Sequence, residues 1–259
     1  MRIRAIGAGI TGALALSAFA VPVAQADEVA GDTTISNVVV NGGKSVVVAA
    51  TSTKTITVTF TAKDDSGVKS AMAILWHGST FDTSDSGAVA NSSNHYATCT
   101  AVNATTSNCK ASFDFEPGYN AINAVAGTWK VWGIASGKDA DYVQKDNVKT
   151  FKVLRQAKLT ANATPEPVKK GKTITVTGSL TRANWDAGKY SGYGSQSVAL
   201  QFRKKGSSTY TNVKGIKSSS TGALKTTTTA TVDGYYRFSF AGNGTTGAVS
   251  ATGDFIDVK

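Results

Sequence analysis

The sequence has few of the residues on which catalysis usually depends. Its 259 residues include two histidines and two cysteines, and only 17% of them are charged. No Gly-x-Ser-x-Gly elbow and no His-Glu-x-x-His pair occurs, so the common nucleophilic and zinc-hydrolase motifs are missing. We therefore expect no enzymatic activity and no cofactor other than calcium.

Long apolar runs are absent after residue 26. Before that point, Arg2 and Arg4 precede an apolar stretch at 5–20, and Ala24-Gln25-Ala26 forms a small-x-small cleavage site. This pattern predicts a cleaved signal peptide at 1–26 and a mature protein without a transmembrane segment, either extracellular or associated with the cell wall. The alternative is an uncleaved anchor, because 5–24 is almost long enough to span a bilayer.

Proline is also scarce, at four residues, whereas glycine is frequent, at 26, and threonine and valine dominate many segments. In 54–62 the apolar residues Ile56, Val58 and Phe60 alternate with threonines, which is typical of a half-buried strand. No segment after residue 26 has a helical period. Comparable runs occur at 46–49, 71–76, 128–135, 149–154, 172–180, 197–203, 210–216, 224–232, 235–240 and 248–258. About fourteen strands at this spacing predict an all-β chain of two tandem immunoglobulin-like antiparallel β-sandwiches.

A repeated segment supports two domains. The six residues 54–59 recur letter for letter at 172–177, and a break near 155–158 separates domains at 27–155 and 156–259. The first domain has 11 Lys and Arg against 12 Asp and Glu, a net charge of −1, and the second has 14 against 5, a net charge of +9. Nearly all of the basic character therefore belongs to the second domain.

The two cysteines are predicted to pair. Cys99 and Cys109 flank the turn-forming segment 103–107, so a disulfide across a hairpin fits both the spacing and an oxidising compartment. The alternative is a metal site formed by the two thiols with His77 and His95, but this spacing matches no common zinc pattern.

Several segments resemble secreted immunoglobulin-like proteins of streptomycetes and related actinobacteria, a group that is mostly uncharacterised. The resemblance covers most of the chain and is carried by the signal peptide, 63–68, Thr164-Pro165-Glu166-Pro167, Trp185, Gln201-Phe202-Arg203-Lys204 and Asp233-Gly234-Tyr235-Tyr236. It implies the fold and export, and it supplies no catalytic residues. Some relatives are labelled as calcium-binding.

Carboxylates are concentrated in two loops of the first domain. If this domain is immunoglobulin-like, the loops 63–69 and 137–147 lie at the same end of the sandwich. Calcium prefers such oxygen ligands. The candidate ligands are Asp64, Asp65, Asp139, Asp141 and Asp146. The alternative is that these are ordinary turn sequences, neutralised by neighbouring lysines.

Basic residues cluster in the second domain, with Trp185, Tyr190, Tyr193 and Tyr210 in or near its loops. The candidate polyanion-binding residues are Lys169, Lys170, Lys172, Arg203, Lys204, Lys205, Lys214 and Lys217. Outside a cell, the expected partner is an anionic wall polymer or a polysaccharide and not a nucleic acid. The alternatives are a basic surface without a specific ligand and a structural spacer.

Overall fold

Strands account for nearly all the regular secondary structure of residues 27–259, the part of the chain that the computed structural model describes. The predicted signal peptide at 1–26 lies outside these residues. Regular helix is limited, within the described range, to two 3-10 helices at Asn41–Gly43 and Asn123–Val125. No helix among residues 27–259 is both long and apolar enough to cross a membrane. The prediction of an all-β chain is confirmed.

The chain folds into two units. The first unit contains the described residues up to Val46, together with Thr53–Ala121 and Gly127–Val153. The second unit contains Leu154–Lys259 and takes in two short segments from earlier in the chain, Val47–Ser52 and Ile122–Ala126.

Two antiparallel sheets form the first unit. Their strands are β1 (Glu28–Ala30), β2 (Thr34–Val40), β3 (Val46–Val48), β4 (Lys54–Lys63), β5 (Val68–His77), β6 (Ser86–Val89), β7 (Thr98–Ala101), β8 (Thr106–Phe115), β9 (Gly127–Gly137) and β10 (Tyr142–Arg155). One sheet has the order β1-β10-β9-β5-β6, with β3 also pairing with β10, and the other has the order β2-β4-β8-β7. The last two residues of β3 and of β10 belong to the second unit.

Aromatic rings join the two sheets of the first unit. Phe115 on β8 contacts Trp129 on β9 with ring centroids 5.0 Å apart, and both side chains are fully buried. On β4, Ile56, Val58 and Phe60 are buried as their alternation predicts. This inter-sheet packing identifies the unit as a β-sandwich.

The disulfide lies at the edge of the smaller sheet. Cys99 on β7 and Cys109 on β8 are directly opposite each other, and their sulfur atoms are bonded. The predicted disulfide across the hairpin is confirmed. Because both cysteines are in this bond, neither is available as a thiolate ligand for the alternative metal site.

Two further sheets form the second unit. One is built around β13, which pairs with β11, β12, β14 and β17, and the other has the order β16-β15-β18-β19 with β20 also on β18. The strands are β11 (Ala157–Leu159), β12 (Asn162–Thr164), β13 (Thr173–Asn184), β14 (Lys189–Gly192), β15 (Ser197–Lys204), β16 (Thr211–Lys217), β17 (Ala223–Thr229), β18 (Gly234–Phe240), β19 (Val249–Ser250) and β20 (Asp254–Ile256).

The core of the second unit lies between these sheets. Ile174 and Leu180 from β13 pack in one apolar cluster with Leu200 from β15 and Phe238 from β18. Trp185 is also buried, and its indole nitrogen donates a hydrogen bond to the carbonyl oxygen of Val48, 3.2 Å away. This bond helps to explain why the segment around Val48 belongs to the second unit.

The repeated segment occupies a central strand in each unit. In the first unit it starts β4, which pairs on both sides with β2 and β8. In the second unit its last five residues start β13, the strand with the most partners in its sheet. Both copies therefore supply the alternating apolar residues that a strand with a buried face requires.

The strand prediction was wrong in detail near the end of the chain. The run 248–258 is divided between β19 and β20, which pair with different parts of β18. The interruption includes Gly253, where a Cβ atom would lie 2.0 Å from the hydroxyl oxygen of Tyr210. Eight strands have no counterpart in the predicted runs: β1, β2, β6, β7, β8, β11, β12 and β14. The longest of them, β8, has ten residues.

Removing the disulfide should destabilise the first unit, because the cross-link restricts the unfolded chain. For Cys99→Ser combined with Cys109→Ala, we expect the free energy of unfolding to fall by about 2 kcal/mol. Urea denaturation followed by tryptophan fluorescence measures this change. A reducing agent should lower the stability of the wild type to that of the variant and leave the variant unaffected. Equal stability of the variant and the oxidised wild type would contradict the expectation.

Candidate functional site

Three loops of the first unit meet at a cluster of aspartates, which we call the acidic tip. The β1–β2 turn supplies Asp32, the β4–β5 turn supplies Asp64 and Asp65, and the β9–β10 turn supplies Asp139 and Asp141. Oxygen atoms of Asp32, Asp64 and Asp141 lie within 4.8 Å of one another, as do those of Asp64, Asp65 and Asp139. Asp64 is common to both groups and is the only buried member.

Hydrogen bonds hold the carboxylate of Asp64 in place. One oxygen accepts a hydrogen bond from the hydroxyl of Thr33 at 2.5 Å, and the other accepts bonds from the amide and the hydroxyl of Ser66 at 3.0 and 2.5 Å. Burial raises the pKa of Asp64, but these hydrogen bonds outweigh it and lower the pKa below the ordinary value of 3.8. Asp64 is therefore ionised at neutral pH.

The other carboxylates bond to backbone amides of the loops at the acidic tip. Asp141 accepts a hydrogen bond from the amide of Asp32 at 3.1 Å, and Asp139 accepts one from the amide of Asp141 at 3.1 Å. Gly31 has a φ of +79°, and a Cβ atom there would lie only 1.5 Å from a carboxylate oxygen of Asp141. Because Gly31 has no side chain, the carboxylate of Asp141 can occupy this position.

The carboxylates at the acidic tip repel one another. The charge of Asp32 raises the pKa of the exposed Asp65, and burial, Asp139 and Asp64 add to the increase. A divalent cation would relieve this repulsion, and clustered carboxylate oxygens are the ligands that calcium prefers. The geometry can therefore hold a calcium ion.

The structure brings together four of the five aspartates in the predicted calcium site. It does not bring Asp146 to them, because Asp146 lies within β10, and the indole nitrogen of Trp76 donates to its carbonyl oxygen at 2.8 Å. Burial and the charge of Asp82 raise the pKa of Asp146. Asp32 was not among the predicted ligands, because only the other two loops were expected to meet at this end.

Lysines converge at one end of the second unit, in a group that we call the lysine end: Lys169, Lys170, Lys172, Lys204 and Lys205. The loop 230–233 connects them. The carbonyl of Ala230 accepts a hydrogen bond from the amide of Gly171 at 2.8 Å, and the carbonyl of Asp233 accepts one from the amide of Lys205 at 3.0 Å. Because 230 and 233 are three residues apart and each segment pairs directly with this loop, the backbones of the two lysine segments lie at most about 20 Å apart.

The remaining predicted basic residues lie elsewhere in the second unit. Lys217 is opposite Ser197, at the other end of β15 from Lys204, and this separation is about 23 Å along the strand. Lys214 lies opposite Leu200 on the edge strand β16. Arg203 precedes Lys204 on β15 and stacks over the ring of Tyr235, 4.1 Å from its centroid.

The two histidines take part in local contacts. Nδ1 of His77 lies 2.6 Å from a carboxylate oxygen of Asp85, and Nδ1 of His95 lies 2.8 Å from the carbonyl oxygen of Ala90. Neither contact involves a hydroxyl or a thiol that could serve as a nucleophile.

One protein family matches part of the first unit. Residues 41–135 match a family of unknown function, DUF5707, which covers most of the first unit up to β9. No curated protein matches the chain.

Several solved structures resemble the chain at low identity. The D00-D0 domain of intimin is 14% identical, with 86% of this chain and 99% of that chain covered and a TM-score of 0.28. The Yersinia pseudotuberculosis adhesin InvE is 14% identical, with 85% and 58% covered and a TM-score of 0.26. A chimeric titin Z1Z2 is 12% identical, with 91% and 98% covered and a TM-score of 0.23. The assignment of immunoglobulin-like sandwiches therefore depends on the strand pairing itself.

The hydrogen bonds to Asp64 should stabilise the first unit. For Thr33→Val, which leaves the buried carboxylate without one donor, we expect a loss of about 1–3 kcal/mol in the free energy of unfolding. Urea denaturation at neutral pH measures it, with the exposed Asp82→Asn as a control that should change little.

The contribution of the Asp64 carboxylate to stability should also depend on pH. Because the pKa of Asp64 is lowered by folding, its contribution is present above the unfolded pKa of 3.8 and is lost as the pH falls through the folded value. The stability difference between the wild type and Asp64→Asn should therefore shrink below about pH 4. A difference that stays constant as the pH falls well below 4 would exclude this assignment.

Proposed function

We propose that this protein is a secreted, non-enzymatic binding module of the cell envelope or extracellular matrix. Its second unit would bind anionic wall polymers or an acidic polysaccharide. The observation that carries this proposal is the lysine end, where two segments with five lysines of the more basic unit both pair with the loop 230–233. The signal-peptide pattern and the disulfide support an extracellular location.

Ion pairs are few at the lysine end. Among residues 27–259, only Lys205 of these five lysines forms an ion pair, with Asp233 at 3.4 Å. The backbone amide of Val258 donates a hydrogen bond to Asp233 and lowers its pKa, so that carboxylate is ionised and neutralises one charge.

Neutralising the lysine end should weaken binding to polyanions. For the replacement of Lys169, Lys170, Lys204 and Lys205 by glutamine, we expect about tenfold weaker binding to polyphosphate at low salt and a weaker dependence on salt. Fluorescence anisotropy of labelled polyphosphate, titrated with the full chain, measures both quantities.

The matched control replaces four exposed lysines of the first unit by glutamine: Lys44, Lys54, Lys110 and Lys149. It changes the net charge equally and should weaken binding by less than about threefold. Equal losses in the two variants would mean that binding reflects only the net charge. If the wild type bound no polyanion, the structural-spacer alternative would remain.

As a second function, we propose that the acidic tip binds calcium. This proposal is favoured by five carboxylates from three loops and by the repulsion that raises the pKa of Asp65. Carboxylates from different loops would be cross-linked by the ion, so calcium would stabilise the first unit.

Calcium should raise the thermal stability of the protein. If the dissociation constant is about 0.1 mM, within or near the range of extracellular modules, about 10 mM calcium should stabilise the fold by roughly 2.7 kcal/mol. Differential scanning calorimetry measures this increase, which Asp65→Asn combined with Asp139→Asn should abolish and Asp146→Asn should preserve. No increase in the wild type would rule out the site.

A further inference from the structure

The outward face of one sheet in the second unit carries a row of arginines and aromatic rings. On β18, Tyr236 and Phe238 point into the core, so the alternating residues Tyr235 and Arg237 point away from it. The neighbouring strands are aligned so that Arg203 on β15 and Phe255 on β20 flank Tyr235 on either side.

The side chains in this row contact one another in sequence. The guanidinium carbon of Arg237 lies 3.7 Å from the ring centroid of Tyr210, and that of Arg203 lies 5.2 Å from Tyr210 and 4.1 Å from Tyr235. The rings of Tyr235 and Phe255 are 5.2 Å apart. We call these five residues the arginine-aromatic face. Cation-π contacts fix the orientation of its arginines and rings.

Neighbouring residues leave space for Tyr210 and orient Arg237. A Cβ atom at Gly253 would lie 2.0 Å from the hydroxyl oxygen of Tyr210, so the glycine makes room for this side chain. The amide oxygen of Gln201 accepts a hydrogen bond from Nε of Arg237 at 2.9 Å. The two terminal nitrogens of Arg237 have no hydrogen-bond partner among the described residues and are available to a ligand.

No carboxylate from these strands neutralises the face. The only acidic residue on β15, β16, β18, β19 or β20 is Asp254, which lies opposite the buried Tyr236. Its carboxylate accepts a hydrogen bond from the amide of Ala163 at 2.7 Å, on the inner side of the sheet. The face is therefore cationic and aromatic, and its strands contribute no acidic group to it.

We propose that the arginine-aromatic face binds a polysaccharide of uronic acids, in which each pyranose ring carries a carboxylate. This inference rests on the proposed binding of polyanions and names the class of polymer. Aromatic rings pack against the apolar faces of sugars. An arginine stacked on a ring still presents the edge of its guanidinium group, which pairs with a carboxylate through two hydrogen bonds. A polymer of phosphate groups alone would pair with the guanidinium group but would offer no sugar ring to the aromatic side chains.

The experiment compares three polymers with the full chain: polygalacturonate, polyphosphate and neutral dextran. Tyr235→Leu removes a ring without changing the charge, and Arg237→Lys retains the charge without the guanidinium fork. We expect each substitution to weaken polygalacturonate binding about tenfold, whereas Tyr235→Leu should weaken polyphosphate binding less than about twofold. Dextran should bind to none of the proteins measurably.

Lys225→Gln is the control, since Lys225 is exposed on β17 in the other sheet. It should weaken the binding of both anionic polymers by less than about twofold. Thermal melting checks that each variant is folded. A second measurement needs no variant: the wild type is titrated with a galacturonate oligosaccharide. The chemical shift of Arg237 Nε should change during this titration.

The outcomes separate the two proposals. If polyphosphate and polygalacturonate bind but respond equally to every variant, and the Nε signal does not move, the arginine-aromatic face is not the site and polyanion binding stands. If neither anionic polymer binds the wild type, both proposals fail. Binding of dextran with the affinity of polygalacturonate would show recognition of neutral sugar and would overturn the role of the carboxylate.

Discussion

Both units depend on the alternation of side chains between the two faces of their strands. Because successive residues point in opposite directions, half of each strand packs between the sheets and the other half has few packing constraints. Ile56 and Phe60 on β4 are buried, as are Tyr236 and Phe238 on β18, whereas Tyr235 and Arg237 lie on the outer face. The outward residues and the loops can therefore carry binding chemistry without affecting the core.

The same alternation determines how much of the fold can be predicted from the sequence. Strands with one buried face, such as β4, β13 and β18, are predictable, because burial imposes the period of two. Short strands such as β20 are held mainly by pairing with a neighbour, and three residues are too few to show a period. The inclusion of the segment around Val48 in the second unit depends on long-range contacts such as its hydrogen bond with Trp185, which leave no local pattern.

The candidate sites were predictable to the extent that loop position determines them. Four aspartates of the acidic tip follow from the pairing of two loops at one end of a sandwich. Asp146 was misplaced because the β9–β10 turn is short: the strand β10 starts at Tyr142, so Asp146 lies about 15 Å from the turn. The arginine-aromatic face could not be predicted from the sequence, because Arg203, Tyr235 and Phe255 become neighbours only through strand register.

The two basic surfaces of the second unit would contribute differently to binding. The lysines are exposed and flexible, so they attract an anionic polymer over several ångströms but lose side-chain entropy when they fix it. Arg203 and Arg237 are already ordered by stacking on Tyr210 and Tyr235, so most of that entropy has been lost before a ligand arrives. Attraction that depends on salt would therefore be supplied by the lysine end, and selectivity for the shape of the repeating unit by the arginine-aromatic face. A polymer with both charge and sugar rings would use both surfaces, whereas a polymer with charge alone would use chiefly the first.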